Sequence, residues 1–265
     1  MEEITSRQNS RVKELIKLQS KKHRRQKQQF LLEGFTLIES ALKAGAEIEG
    51  VYLDSSIEPG EKLDSIREMI ADGVPVINLA PRLMEEVSTT VNPQGIVAVA
   101  RRRTASLEDM LTAEGPLLLL AQVQDPGNAG TLIRSASAAG IDGIIALKGT
   151  VELYNPKVIR SSMGGIFKPT ICPDVDPEDF IKTALEVAEE RRLILTDPEA
   201  DQNYFDIAFR QDDIFVIGNE TDGIPSELRS INHVPVRIPL PGDLQSLNAA
   251  MAGSIVIFDW VRQNH

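Results

Sequence analysis

The chain has 265 residues, of which 42% are hydrophobic, with one cysteine, three histidines and a formal net charge of -11. That length gives two domains of ordinary size a core each, while the lone Cys172 and the scattered histidines exclude an internal disulfide and offer no metal-ligand spacing. No apolar run reaches the roughly 18 residues of a membrane span, and "MEEITSRQNSRVK" lacks the apolar block of a secretory signal, so a cytoplasmic protein without membrane or metal partners is expected.

The charge is unevenly placed. Residues 1–30 hold nine Lys/Arg against three acids, a local +6, and the remaining 235 residues carry -17. A basic stripe on an acidic body can hold phosphates locally while the rest repels polyanions, although a Lys/Arg run alone is as readily a solvated helix face. From a cap at Asn9 or Ser10, "RVKELIKLQSKK" predicts one basic amphipathic helix with Val12, Leu15, Ile16 and Gln19 on its apolar side. Next come a strand at "QFLLEG", a helix at "FTLIESALKAG" ended by Gly45, a strand at "IEGVYLD", and a helix over about 61–71 stopping at Gly73. "VPVINLA", a short helix over 81–87 and "GIVAVARR" complete an α/β domain over 1–103.

Residues 104–116, polar and small with a Gly-Pro break, read as the linker to a second domain over 117–265. There the strands are "PLLLLAQV", "GIIALK", "RLILTD", "DIFVIGN" and "VPVRIPL", near-continuous apolar runs of the kind found in parallel sheets covered on both faces. Helices are expected over 130–139, 156–163, 177–191 and 247–261.

In a parallel α/β sheet, ligands bind beyond the carboxyl ends of the strands. Four such junctions here are dense in Gly, Pro, Asn, Asp or Glu: "QDPGNAGTLIR", "DPEADQN", "NETDGIP" and "PGDLQSLNAA". In the first, Arg134 stands four residues after Gly130, and its side chain tilts back toward the helix start. There a guanidinium beside Asn128 and free helix N–H groups suits a phosphate or anionic oxygen; alone, the segment is equally a helix capped by Asn128 whose arginine pairs with a surface acid. Glu220 ends a buried strand, and Ser246 and Asn248 open an almost wholly apolar helix, with Ser246 as the simplest cap. No GxGxxG, GxxxxGK[ST], GxSxG or HExxH is present, which argues against a dinucleotide fold, a P-loop, a serine hydrolase and a zinc protease. Arg, Asn, Glu and Ser at loop ends suit group transfer onto a substrate's own nucleophile.

"NAGTLIRSASAAG", "FVIGNETDGIP" and "IPLPGDLQSLNAAMAGSIVIF", in that order, resemble the three motifs of the SpoU (TrmH-like) family of the SPOUT superfamily, RNA ribose 2'-O-methyltransferases; "VIRSSMGGIFKPTI" fits as well. The first hundred residues are similar to the L30e-like α/β substrate-binding domain often attached in that family. The resemblance implies a C-terminal SPOUT α/β domain with a parallel sheet and a deep trefoil knot, S-adenosylmethionine as methyl donor, and a homodimer formed through that domain. The substrate would be RNA, 23S-type ribosomal RNA rather than tRNA; a noncatalytic RNA-binding protein is the alternative from another class. It implies catalytic roles for Arg134, Asn128, Glu220, Ser246 and Asn248, with Arg134 facing the 2'-hydroxyl. It implies cofactor contacts from Thr196, Gly218, Asn219, Glu220, Ile238, Leu240, Ser246, Leu247 and Asn248. RNA contacts would come from Arg7, Arg11, Lys21, Lys22, Arg24 and Arg25. Thr221 stands where the family often has glycine.

Overall fold

The computed structural model describes residues 3–243 and 246–265, so Leu244 and Gln245 of the third motif lie outside the described residues. The chain divides into two units, one of Met1–Arg102 with Tyr154–Arg160, the other of Arg103–Leu153 with Ser161–His265.

The first unit runs β1 (Glu3–Ile4), α1 (Ser10–Lys17), α2 (Lys21–Lys27), β2 (Gln29–Glu33), α3 (Phe35–Lys43), β3 (Ile48–Asp54), α4 (Glu61–Met69), β4 (Val76–Leu79), α5 (Pro81–Val87) and β5 (Ile96–Arg101). Its sheet has the order β1-β4-β3-β5-β2; β5 is antiparallel to β2 and β3, and the other pairs are parallel. The single basic helix expected over the N-terminal stripe is two helices. Leu18 is buried as the last apolar contact of α1, and Gln19 turns away to donate from Nε2 to the carbonyls of Glu86 (3.0 Å) and Val87 (2.9 Å). Ser20 then caps α2 by accepting from His23 N at 3.3 Å. Side-chain hydrogen bonds to an underlying helix therefore end α1 two turns in, which helical periodicity does not register. The two-residue β1 carries no periodic signal either.

The chain continues with α6 (Leu107–Thr112), β6 (Leu117–Leu120), α7 (Pro126–Ala138), β7 (Gly143–Leu147), α8 (Pro156–Ser161), β8 (Thr170–Val175), α9 (Pro177–Val187), β9 (Leu193–Thr196), β10 (Ile214–Ile217), β11 (His233–Val236) and α10 (Ala249–Asn264), all in the second unit except α8, which but for Ser161 belongs to the first. Six strands, all parallel, lie in the order β11-β9-β10-β6-β7-β8. The stretch 104–116 carries α6, capped by Ser106, and gives Met110 and Leu111 to the core of this unit. Arg191 fastens the end of that stretch: its guanidinium donates to the carbonyls of Leu111 (3.0 Å), Ala113 (3.1 Å) and Gly115 (2.6 Å) and to Asp212 O (3.0 Å). β8 is a strand that the apolar pattern does not predict, and it holds the buried Cys172, whose thiol is pushed up to about 11 by burial.

Every residue of β6, β7 and β10 is buried, as both-face coverage requires. The chain runs outward from β6 to β7 and β8, then returns to the other side through β9 and β10. The strand order reverses between β6 and β10, where an open α/β sheet forms its crevice. The polar junctions singled out in the sequence follow β6, β9, β10 and β11, which are four contiguous strands. Among the described residues no helix is long and apolar enough to cross a membrane.

Candidate active site

The loop after β6 is shaped by its backbone. Gln122 has φ +65, and its N–H donates to Thr150 Oγ1 (3.1 Å), whose hydroxyl in turn donates to Leu120 O (2.9 Å). The N-cap of α7 is Asp125, which accepts from Asn128 N at 2.7 Å, with Pro126 at the first helical position. This corrects the expectation that Asn128 caps the helix and that the helix opens at Gly130. Aspartate before proline meets both the capping and the φ requirement, and Asn128 is left with its side chain uncommitted to the helix.

That side chain joins three loops. Asn128 Nδ2 donates to Glu220 Oε1 at 2.6 Å, and Asn128 Oδ1 accepts from Asn248 Nδ2 at 2.8 Å. Asn248 is itself the N-cap of α10, its Oδ1 accepting from Ala250 N (3.0 Å) and Met251 N (3.2 Å). The cap is therefore Asn248, and the helix begins at Ala249 rather than at Leu247 with Ser246 as cap. A carboxylate at the end of this chain makes its hydrogen bond the strongest of the three kinds present. Asn128, Glu220 and Asn248 thus tie the starts of α7 and α10 to the loop after β10.

The helices can meet because of Gly253. A Cβ there would lie 2.6 Å from Leu132 Cδ2 and 2.8 Å from Ile217 Cδ1, so any larger residue would push α10 off α7 and β10. Ser135 and Ser254 hydrogen-bond across the same contact at 2.7 Å.

The loop after β10 closes on itself. Asn219 and Gly223 exchange backbone hydrogen bonds (2.9 and 3.1 Å), and Asn219 Oδ1 accepts from Thr221 N (2.7 Å) and Asp222 N (3.0 Å). Asn219 Nδ2 donates to Gln122 O at 3.0 Å, so its side chain builds the loop. Gly218 is buried under this turn; a Cβ would run into the backbone of Gly223 and Ile224. Thr221 is exposed and supplies a backbone N–H to the turn, a task that does not require glycine.

Arg134 stands apart from this network. It is exposed on α7, whereas Gly130 one turn earlier is buried, and among the described residues it makes no hydrogen bond or ion pair. Ser246 is exposed, and Ile238, Leu240 and Leu247 are half-buried along the segment after β11. At the end of β9, Thr196 Oγ1 is buried with no hydrogen-bond partner among the described residues.

Of the basic residues predicted to meet RNA, Lys21 and Lys22 are exposed at the start of α2, and Arg11 is exposed on α1. Arg7 pairs with Glu86 at 2.6 Å, and Arg25 is half-buried. Arg24 is corrected: it is 3% exposed, and its Nη1 donates to Leu18 O (2.9 Å) and Gln19 O (2.7 Å), so it braces the α1–α2 break from inside. Gln122, Asp125 and Gly253 also shape the site, although the motifs do not mark them as functional.

Solved methyltransferases share this architecture. The crystal structure of an AdoMet-bound rRNA methyltransferase from Sinorhizobium meliloti matches with a TM-score of 0.85 and 29% identity, covering 100% of this chain and 98% of that one. The chain is also 30% identical to a 23S rRNA (guanosine(2553)-2'-O)-methyltransferase, RlmP, of Bacillus subtilis over 97% of its length and 98% of the relative's. A 23S rRNA (uridine(2479)-2'-O)-methyltransferase of Streptomyces viridochromogenes is 31% identical over 98% and 92%. The fold is that of an α/β methyltransferase of the SPOUT type. The family model of the SpoU rRNA methylases matches residues 116–258 and that of the MRM3-like substrate-binding domain residues 9–98, and the chain belongs to the SpoU rRNA methylase family.

The residues present fit the methyl donor of such enzymes. At the end of β9, the strand between β11 and β10, Thr196 Oγ1 is a buried polar atom with no hydrogen-bond partner among the described residues, which suits a polar atom of that donor.

Proposed function

We propose that the protein transfers a methyl group from S-adenosylmethionine to a ribose 2'-hydroxyl of RNA, and that the RNA is 23S-type ribosomal RNA met in the cytoplasm. The observation that carries this reading is the Asn128–Glu220–Asn248 network, which gathers one residue from each of the three motifs at the strand-order reversal. When bound, S-adenosylmethionine supplies an electrophilic methyl group on a sulfonium centre. Thr196, Gly218, Ile238, Leu240 and Leu247 hold it, with Asn219 forming the loop wall.

Arg134 donates N–H groups to the ribose hydroxyl and an adjacent phosphate, turning the oxygen's lone pair toward the donor. Its fixed positive charge offsets the negative charge that grows on that oxygen during attack. The guanidinium serves here as hydrogen-bond donor and charge partner, and the hydroxyl proton passes to water as the oxygen takes the methyl group. Asn128, Glu220 and Asn248 keep the walls of the site together, and Ser246 meets the ribose from the segment before α10.

The N-terminal unit is the RNA-binding half, with Arg11, Lys21 and Lys22 tracking the backbone while the catalytic loops engage one ribose. The protein works as a homodimer through the second unit. This is supported by Met251 (58% exposed) and Phe258 (47%), seven residues apart on one face of α10. The knot belongs to the same reading. The two relatives methylate a guanosine and a uridine at similar identity, so ribose rather than base chemistry is what this chain would share with both. Calorimetry with S-adenosylmethionine tests the cofactor half: saturable binding at one site per chain is expected, and no binding to the folded protein would refute the reading.

A further inference from the structure

The segment between α8 and β8 approaches α7 unusually closely. Met163 has φ +48 and is 58% exposed, a left-handed conformation that costs a non-glycine residue about 1 kcal/mol or more. Gly164 comes next at φ +87, and Gly165 N donates to Ser162 O at 2.8 Å, closing the turn. The turn leads into a 3-10 segment, Gly165–Phe167, anchored by the buried Ile166 and Phe167. At Gly165 a Cβ would lie 2.9 Å from Arg134 Cα and 3.4 Å from both Arg134 N and Ile133 O. These are backbone atoms of a regular helix, which cannot yield as the tip of a side chain can.

Arg134 is the single charged residue of α7, and among the described residues nothing grips its guanidinium. Its aim therefore depends on where its backbone is held. We propose that the Met163–Gly164–Gly165 turn is a positioning element for methyl transfer: only glycine at 165 lets the turn seat against α7 at Arg134, and that seating fixes where the guanidinium meets the ribose. Strain held at Met163 is consistent with a turn whose course is set by this contact rather than by local preference.

The proposal rests on the assignment of Arg134 to the ribose, and one set of variants separates the two. Single-turnover methylation of ribosomal RNA with enzyme in excess, S-adenosylmethionine affinity and thermal melting are measured for Gly165→Ala, Arg134→Ala and the double variant. Gly165→Ala is expected to lower the transfer rate by about tenfold or more, since displacements below an ångström are costly at a reacting centre. Its affinity for S-adenosylmethionine and its KM for RNA should stay within about twofold. In the Arg134→Ala background the same glycine change should cost no further rate, because the two act as one unit. Wild-type transfer by Gly165→Ala, or an equal loss in both backgrounds, overturns the positioning role. Full transfer by Arg134→Ala instead overturns the assignment of the arginine, whatever the glycine does. Should Gly165→Ala lose its cooperative melting transition, Gly164→Ala decides, since it disturbs the turn through its φ of +87 alone. A rate loss confined to the Arg134 background supports the proposal, and an unchanged rate overturns it.

Discussion

At the scale of single residues the site separates into side chains tied into its network and one that is not. Asn128 and Asn248 spend their amides on each other, on Glu220 and on a helix cap, whereas Arg134 has no partner among the described residues. Arg134→Ala should therefore leave S-adenosylmethionine affinity within about twofold while lowering transfer by ~10²–10³-fold, the usual loss for a transition-state donor; parallel calorimetry and single-turnover assays check this. Gly218→Ala should do the reverse. Its Cβ collides with the Gly223 backbone, the loop opens, and donor affinity falls by about tenfold or more before any effect on the chemistry. Arg134, Glu220 and Asn248 stood out in the sequence because they lie in or just after the loops that follow strands, where an open α/β sheet meets its ligands. Which residue caps a helix was not legible, since "DPGN" offers two candidates three residues apart and "SLN" two more, and only the geometry chooses Asp125 and Asn248. The burial of Arg24 was equally hidden, because a basic run looks solvated until its fold turns one member inward.

At the scale of elements, apolar periodicity found every strand but β1 and β8, each at one edge of its sheet. β8 is an edge strand with Pro173 in its middle, and β11 is the opposite edge with Pro235; proline is tolerated there because one side of the strand has no ladder to join. β8 also carries Asp174 at φ +60 and a register shift opposite β7, which breaks the two-residue pattern. Between helices, Gly253 allows the α7–α10 contact that joins the motifs. Gly253→Val should destabilise the protein by about 1–3 kcal/mol through overpacking and lower transfer with it, read as a reduced melting temperature. In the N-terminal helices Glu14 gathers Lys17 (2.9 Å), His23 (2.8 Å) and Lys27 (3.9 Å), and the Lys17 and His23 hydrogen bonds hold its carboxyl down at about 2. A carboxyl depressed in the folded state adds stability that is present above its ordinary value of 4.5 and lost as the pH falls toward 2. Because Glu14 is partly solvent-exposed the gain is about 0.5 kcal/mol. Glu14→Gln should lower stability at neutral pH by about that amount and converge with the wild type as the pH falls toward 2, flattening the acid limb, as followed by denaturation at several pH values.

At the scale of the whole molecule, charge is segregated by sequence: +6 over residues 1–30 against -17 over the rest. An acidic chain can in this way bind RNA through one exposed stretch without coating itself in polyanion. Lys21→Glu with Lys22→Glu should weaken ribosomal RNA binding across sequences and reduce the slope of log affinity against log salt by about two, one per phosphate contact, without changing S-adenosylmethionine affinity. The central claim is ribose methylation of ribosomal RNA, and mass-spectrometric mapping of 2'-O-methyl groups tests it most directly. Unmodified 23S rRNA is incubated with S-adenosylmethionine and either the wild-type protein or Arg134→Ala. The account predicts a single new ribose 2'-O-methyl with the wild type and none with the variant. A folded protein that binds the donor yet leaves every ribose unmodified, or that places its methyl on a base, would contradict it.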